Sequence, residues 1–172
     1  MESRALLDRL DRHLRRMSAR GVLFGQAVAD RLGIGASDLE CLDLINLKGR
    51  VTAGELAAAT GLTTGAITGV LDRLEKAGFI KRERDAADRR KVFASIRPAA
   101  LQKIAPLYQP LDRAMRELWS RYSREELELL IDFAARCEEV FTREIARLRE
   151  NDPRRRGARP ARKAKSRTAG GE

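Results

Sequence analysis

Residues 61–80 read "GLTTGAITGVLDRLEKAGFI", and these twenty positions decide the fold. Thr63 or Thr64 offers a side-chain oxygen to cap a helix, and Gly78 supplies its stop. On a wheel of about 100° per residue, Ala66, Ile67, Val70, Leu71 and Leu74 gather on the face that would bury. Gly65, Thr68, Gly69, Asp72, Arg73 and Lys76 occupy the other. Each interior glycine costs a helix about 1 kcal/mol relative to alanine, so Gly65 and Gly69 need a compensating reason. A face that is thin and hydrogen-bonding at its N-terminal end, with a cation further along, suits close approach to another surface. One such surface is the floor of a DNA major groove, where threonine offers a hydroxyl to bases or phosphate and a methyl to thymine. Another is a packed helix of the same protein. Membrane helices also pair through G-x-x-x-G, but over an apolar segment of about 20 residues. Asp72, Arg73, Glu75 and Lys76 exclude one here.

Working upstream, Thr52 with Glu55 and Ser37 with Glu40 both have the S/T-x-x-E spacing of a capping box, opening "AGELAAAT" and "DLECLDLINLK". The turn "GLT" joins the former to the helix above, as in a helix-turn-helix. Before these, Leu6, Leu10, Leu14, Met17, Phe24, Val28 and Leu32 recur at threes and fours, with Gly21 in the missing slot. This predicts one long amphipathic helix over about 3–32, ended by Gly33. Downstream, "FIKRER" and "KVFASI" flank the charged loop "DAADRR" as a hairpin, with Val92, Ala94 and Ile96 at alternating positions. A charged hairpin directly after a helix-turn-helix is the pattern of a winged helix.

Pro98 opens a further helix, in which Pro106 and Pro110 predict a kink or a break. Ser123 with Glu126 forms a third capping box. From there Leu127, Leu130, Ile131, Ala134, Cys137, Phe141, Ile145 and Leu148 form a stripe to about residue 149. The expectation is a mainly α fold with a small β-hairpin wing. Residues 1–150 form a single domain, its winged helix-turn-helix at about 37–97 between long helices at about 3–32 and 99–149. Residues 151–172 have no apolar side chain larger than alanine and are expected to be a basic disordered tail, either a weak DNA tether or a solubilising end.

The chain has 172 residues and a formal charge of +10, which points to a polyanionic partner, nucleic acid before membrane. The tail carries a net +6 of that excess, leaving the first 150 residues only mildly basic at +4. Neither a signal peptide nor a span apolar enough for a bilayer is read, so a cytoplasmic location without membrane association is expected. Cys41 and Cys137 sit in apolar helical patterns and read as buried reduced thiols. An enzyme would need a catalytic constellation, and the one histidine, His13, lies exposed among arginines with no acidic pair or cysteine at metal spacing. The glycines at 65 and 69 lack the lysine pattern of a phosphate loop. No cofactor, metal or catalytic site is expected.

The order of elements, with "LTTGAITGVLDRLEKAGFIKRERDAADRRKVFASI" at 62–96, resembles the MarR family of bacterial transcriptional regulators. By layout the resemblance covers about 3–149; specific motif similarity lies at about 52–97, above all in "LDRLEKAGFIKRERD" followed by "DRR". It implies a homodimer whose first and last helices interdigitate. Two winged-helix lobes would then bind a pseudo-palindromic double-stranded DNA operator, each recognition helix in a major groove and each wing along a minor groove. Carried over, the recognition helix is about Thr63–Ala77, with Thr63, Thr64, Gly65, Thr68, Gly69 and Arg73 toward DNA. The wing residues are Asp88, Arg89, Arg90 and Lys91, with Arg90 in the minor groove and Asp88 orienting a neighbouring guanidinium.

The resemblance also implies a repressor released by a small-molecule effector, often an anionic aromatic, bound between the dimerisation helices and the winged helix. Tyr108, Trp119 and Tyr122 either line such a pocket or form dimer core and rim. Two positions depart from the family pattern: Ile96-Arg97 stands where many relatives have Leu-Thr, and no cysteine precedes Cys41, which removes the N-terminal route to peroxide sensing. The competing function is a winged helix used in chromosome architecture or protein contacts, without strong sequence specificity.

Overall fold

The computed structural model describes residues 2–151, so the tail from residue 152 on lies outside the described residues. Two compact units emerge, Met1–Ala114 and the remainder from Met115. In chain order the elements are α1 (Glu2–Leu32), α2 (Ala36–Lys48), β1 (Arg50–Thr52), α3 (Ala53–Thr60), α4 (Thr64–Lys76), β2 (Ile80–Arg84), β3 (Val92–Ile96), α5 (Pro98–Trp119) and α6 (Arg124–Glu150).

The first unit is built around one core. Leu42 and Ile45 of α2, Val51 of β1, Leu56 of α3, Ile67 and Leu74 of α4, and Ile80 of β2 are almost wholly buried together. Their side chains converge because each amphipathic element contributes one apolar face, and burying them is the main favourable term in folding. α4 turns its Ile67, Val70, Leu71 and Leu74 inward as the wheel requires. Ala66, expected on that face, is exposed; it lies at the edge of the stripe, in the first turn of the helix.

Local signals set most boundaries. The Thr52–Glu55 capping box closes fully: Thr52 Oγ1 accepts from the Glu55 N–H at 3.2 Å, and Glu55 Oε2 accepts from the Thr52 N–H at 2.7 Å. Gly61 then takes φ +76°, a left-handed conformation that only glycine adopts readily, and so turns α3 into α4. Thr63 is the cap of α4, accepting from the Ala66 N–H at 3.2 Å.

Two expectations need correction, and one strand is added. The Ser37–Glu40 capping box does not form, because α2 starts at Ala36 with Gly35 as its cap and no side-chain cap bond, which puts Ser37 inside the first turn. The expected hairpin forms from β2 and β3, and β1 adds a third antiparallel strand in the order β1-β3-β2, with Val51 opposite Ala94 and Arg82 opposite Ala94 on the other side. Three residues are too few to show a strand period in sequence. Of the kink or break expected at Pro106 and Pro110, the break does not occur, and α5 runs unbroken through both. Both prolines face solvent, where water can meet the carbonyls they leave without an N–H, while Ile104 and Tyr108 of the same helix pack on the core.

The second unit holds the end of α5 and α6. Ser123 caps α6 through the expected box, its hydroxyl accepting from the Glu126 N–H at 3.2 Å and the Glu126 carboxylate accepting from the Ser123 N–H at 2.8 Å.

Candidate nucleic-acid interface

The outward face of α4 begins at its cap. Thr64, Gly65 and Thr68 are exposed and Gly69 half-buried, and the Thr68 hydroxyl donates to the Thr64 carbonyl at 2.9 Å, which leaves its oxygen free to accept. A Cβ added at Gly65 would meet no heavy atom within 4 Å, and one at Gly69 would meet only Arg73 Nη1 at 3.5 Å, an ordinary contact. Packing within the chain therefore does not account for either glycine among the described residues. The face is bare, and its thinness is open to an external surface.

Arg73 sits further along the same helix but is not a free cation. Its Nε donates to Asp38 Oδ2 at 3.0 Å and its Nη2 to Asp38 Oδ1, a two-pronged ion pair from α4 to the first turn of α2. This pairing holds the Arg73 pKa above its ordinary value. Asp72, also on the outward face, shares Arg82 of β2 with Glu75: Arg82 reaches Glu75 Oε2 and, at 2.7 Å, Asp72 Oδ1, and the Arg82 N–H donates to Glu75 Oε1 at 3.1 Å. The Arg82 guanidinium holds the Glu75 carboxyl below the usual range. Thus α4 is clamped at one side to α2 and at its end to the sheet.

The wing tip, residues 85–91, is a folded turn. Asp85 accepts from the Ala87 and Asp88 N–H groups at 3.0 and 2.9 Å, and the backbone closes through Asp85 N–H to the Lys91 carbonyl at 2.9 Å. The Asp88 N–H holds the Asp85 carboxyl below the usual range, with help from Ala87 and Arg50. Arg50 of β1 braces the turn, placing Nη2 3.3 Å from Asp85 Oδ2 while its guanidinium lies 4.1 Å from the Phe93 ring centroid. Asp88 meets Arg90 itself: its Oδ1 accepts from both the Arg90 N–H and Nε at 3.1 Å. The Arg90 side chain is nonetheless 92% exposed, aimed outward by a carboxylate at its base. Arg89 and Lys91 beside it are exposed as well.

Sequence reasoning misses the residues that hold these two surfaces in place. Asp38 reads as the first residue of a helix opened by Ser37, an ordinary exposed place for an acid, and Arg50 lies in a strand too short to show a period. Asp85 and Arg82 look like members of one charge run. Nothing in residue spacing marks a pair separated by 35 positions, as Arg73–Asp38 and Arg50–Asp85 both are.

Elsewhere, Cys41 is buried and its thiol is pushed up to about 11, mainly by burial and then by the charges of Glu40 and Asp38, so it stays protonated at neutral pH. Tyr108 stacks edge-on against Phe24 with centroids 5.6 Å apart and donates to Asp43 at 3.4 Å. Burial raises the Asp43 carboxyl above its ordinary value. His13 is exposed. Among the described residues no group of three or more His, Cys, Asp or Glu could hold a metal, and no helix is long and apolar enough to cross a membrane.

Residues 34–92 match the family model described as the MarR family. The HTH-type transcriptional regulator YcgE of Bacillus subtilis, itself uncharacterised, is 41% identical over 136 residues, covering 79% of this chain and 88% of that protein. The chain belongs to the MarR family. It is a DNA-binding transcriptional regulator and not an enzyme. The fold agrees: transcriptional regulator Tm0710 of Thermotoga maritima superposes with a TM-score of 0.57 at 24% identity, covering 81% of this chain and 98% of that one. A mutant of MarR from E. coli, solved in complex with operator DNA, superposes at 0.52 with 21% identity, covering 74% and 92% of the two chains. In this MarR-family chain α4 is the second helix of the helix-turn-helix, and it lies within the matched residues.

Proposed function

We propose that this protein is a sequence-selective repressor that binds a pseudo-palindromic operator as a homodimer and is released by a small-molecule effector in the cytoplasm. Residues 1–150 act as one functional domain, with α1, α5 and α6 as dimerisation helices. Thr63, Thr64, Gly65, Thr68, Gly69 and Arg73 face the major groove, and Asp88, Arg89, Arg90 and Lys91 the minor groove and its backbone.

The observation that carries the reading is the open space over Gly65 and Gly69. Two helix-weakening residues with no packing need, beside exposed threonines, favour a surface shaped for something outside the chain. The outward-aimed Arg90 supports the same reading, since arginine inserts into narrow minor grooves. The exposed apolar residues of α1 and α6 favour a second copy of the chain over a monomer. Effector release has support from Asp43, Tyr108 and Phe24, which bring an exposed carboxylate and two rings together where α1, α2 and α5 meet.

Selection of bound duplexes from a random pool tests the reading. The expected result is an enriched two-fold motif with half-sites about one helical turn, roughly 34 Å, apart. Recovery of no motif, with binding that only tracks salt, would favour an architectural protein instead.

A further inference from the structure

Operator binding leaves one buried charge without a purpose. Asp38 is 4% exposed, the buried charged side chain among the described residues, and its carboxylate is satisfied by Arg73 alone of the side chains. As a strut between α2 and α4 the pair is a poor choice, because apolar side chains of similar volume hold helices together as well or better. What an ion pair does that an apolar contact cannot is to fix the plane and direction of a guanidinium. Asp38 takes the Nε and Nη2 edge of Arg73. The remaining donors, on Nη1 and the far side of Nη2, form a second flat edge. That edge is open: the Arg73 side chain is 60% exposed, and Nη1 lies 3.5 Å from the point a Gly69 Cβ would occupy, back along the bare face of α4.

We propose that Asp38 is a positioning residue for base reading: it holds Arg73 so that the free guanidinium edge points into the groove, where a guanine presents O6 and N7 as paired acceptors. The inference rests on α4 being the element that enters the groove. Gly69 is then the clearance over which the guanidinium lies, a second use for a glycine whose own space is open. An arginine already held gives up less rotamer freedom on binding than a free one. Because the carboxylate offsets the cation, the pair adds little to sequence-independent attraction, and its value lies in base choice.

The test uses the full chain and two labelled duplexes, one enriched from a random pool by the wild-type protein and one of shuffled sequence, titrated by fluorescence anisotropy with a melt of every variant. Asp38→Asn should lower affinity for the enriched duplex roughly tenfold or more, while the shuffled duplex binds as well as before or better, since Arg73 loses its neutralising partner. Arg73→Lys keeps the charge and loses the fork, so it should give the same split. The double variant should cost no more than either single one, because both remove the same interaction. A merely structural pair predicts otherwise, with equal losses on both duplexes in proportion to unfolded protein; that result overturns the proposal, as do losses that multiply in the double variant, which would show that the two residues act independently. Should Asp38→Asn fail to fold, Arg73→Lys at its exposed position decides alone, and unchanged discrimination overturns it. A wild-type protein that enriches no sequence overturns the operator reading, and this inference falls with it.

Discussion

Leu74 of α4 and Phe141 of α6 belong to stripes of the same helical period, yet Leu74 is wholly buried and Phe141 is 67% exposed. The difference runs through the molecule. In the winged-helix lobe every large apolar side chain that faces inward finds α2, α3, β1 or β2 against it. On α6 no residue is buried among those described, and Leu129, Ile131 and Leu148 lie open, as do Leu6, Leu10 and Met17 in the first half of α1. Periodicity states that a face must be covered, but not whether the cover comes from the same chain. The lobe core is closed within the first unit, with Ala100 and Ile104 of α5 completing it, whereas α6 and the first half of α1 present open apolar surface.

The largest effect should come from breaking that second surface. Ile131→Glu combined with Phe141→Glu would bury unpaired charge in both copies, at about 3 to 5 kcal/mol for each site, and should leave monomers at micromolar concentration by light scattering, with the lobe still folded. A dimer mass for this variant would remove α6 from the interface. On the other side of the comparison, Leu74→Ala should destabilise the lobe by about 2 to 5 kcal/mol through the cavity it leaves, measured by denaturant titration. A cost near zero would mean that the lobe core is not the tightly packed region.

Arg90→Ala should cost about 1 to 3 kcal/mol of operator affinity and flatten the salt dependence by about one contact per wing. Melting temperature and dimer mass should not change, because the side chain is exposed and its polar partner among the described residues is Asp88 two positions away. Unchanged affinity would take the wing tip out of the interface. The smallest effect concerns the wing's own order. The Asp85 carboxyl is held low when folded, so its contribution is complete above the unfolded value of about 3.9 and fades as pH falls through the lower folded one. Amide exchange at Ala87 and Asp88 should speed up below about pH 4 in the wild type, and Asp85→Asn should lose that pH dependence. Equal profiles for the two proteins would show that Asp85 does not pin the turn.

What the residues reveal beforehand follows from the range of each signal. Thr52 with Glu55, Ser123 with Glu126, and Gly61 act within a few positions, and all form as their spacing requires. The motif at 71–90 identifies the family for the same reason, being contiguous. Ser37 with Glu40 has the same spacing and fails, because the helix starts earlier and turns Asp38 inward toward a partner 35 residues away. The third strand and the Arg50 brace are illegible since pairing with β3 depends on distant residues. Of the candidate interface, the bare face of α4 is readable from its wheel, while the fact that Arg73 is already engaged is not.

Whether the glycine face of α4 is bare because DNA fills it is tested most directly by Gly65→Ala and Gly69→Ala, each with a thermal melt and an operator titration. Space exists for both methyl groups, at no contact for Gly65 and at 3.5 Å from Arg73 for Gly69. Both variants should therefore be as stable as wild type or more stable by about 0.4 to 1 kcal/mol. Both should bind operator more weakly, and leucine at either position more weakly still. Variants that lose stability yet keep wild-type affinity per folded dimer would contradict the account, since the glycines would then serve the fold and not the groove.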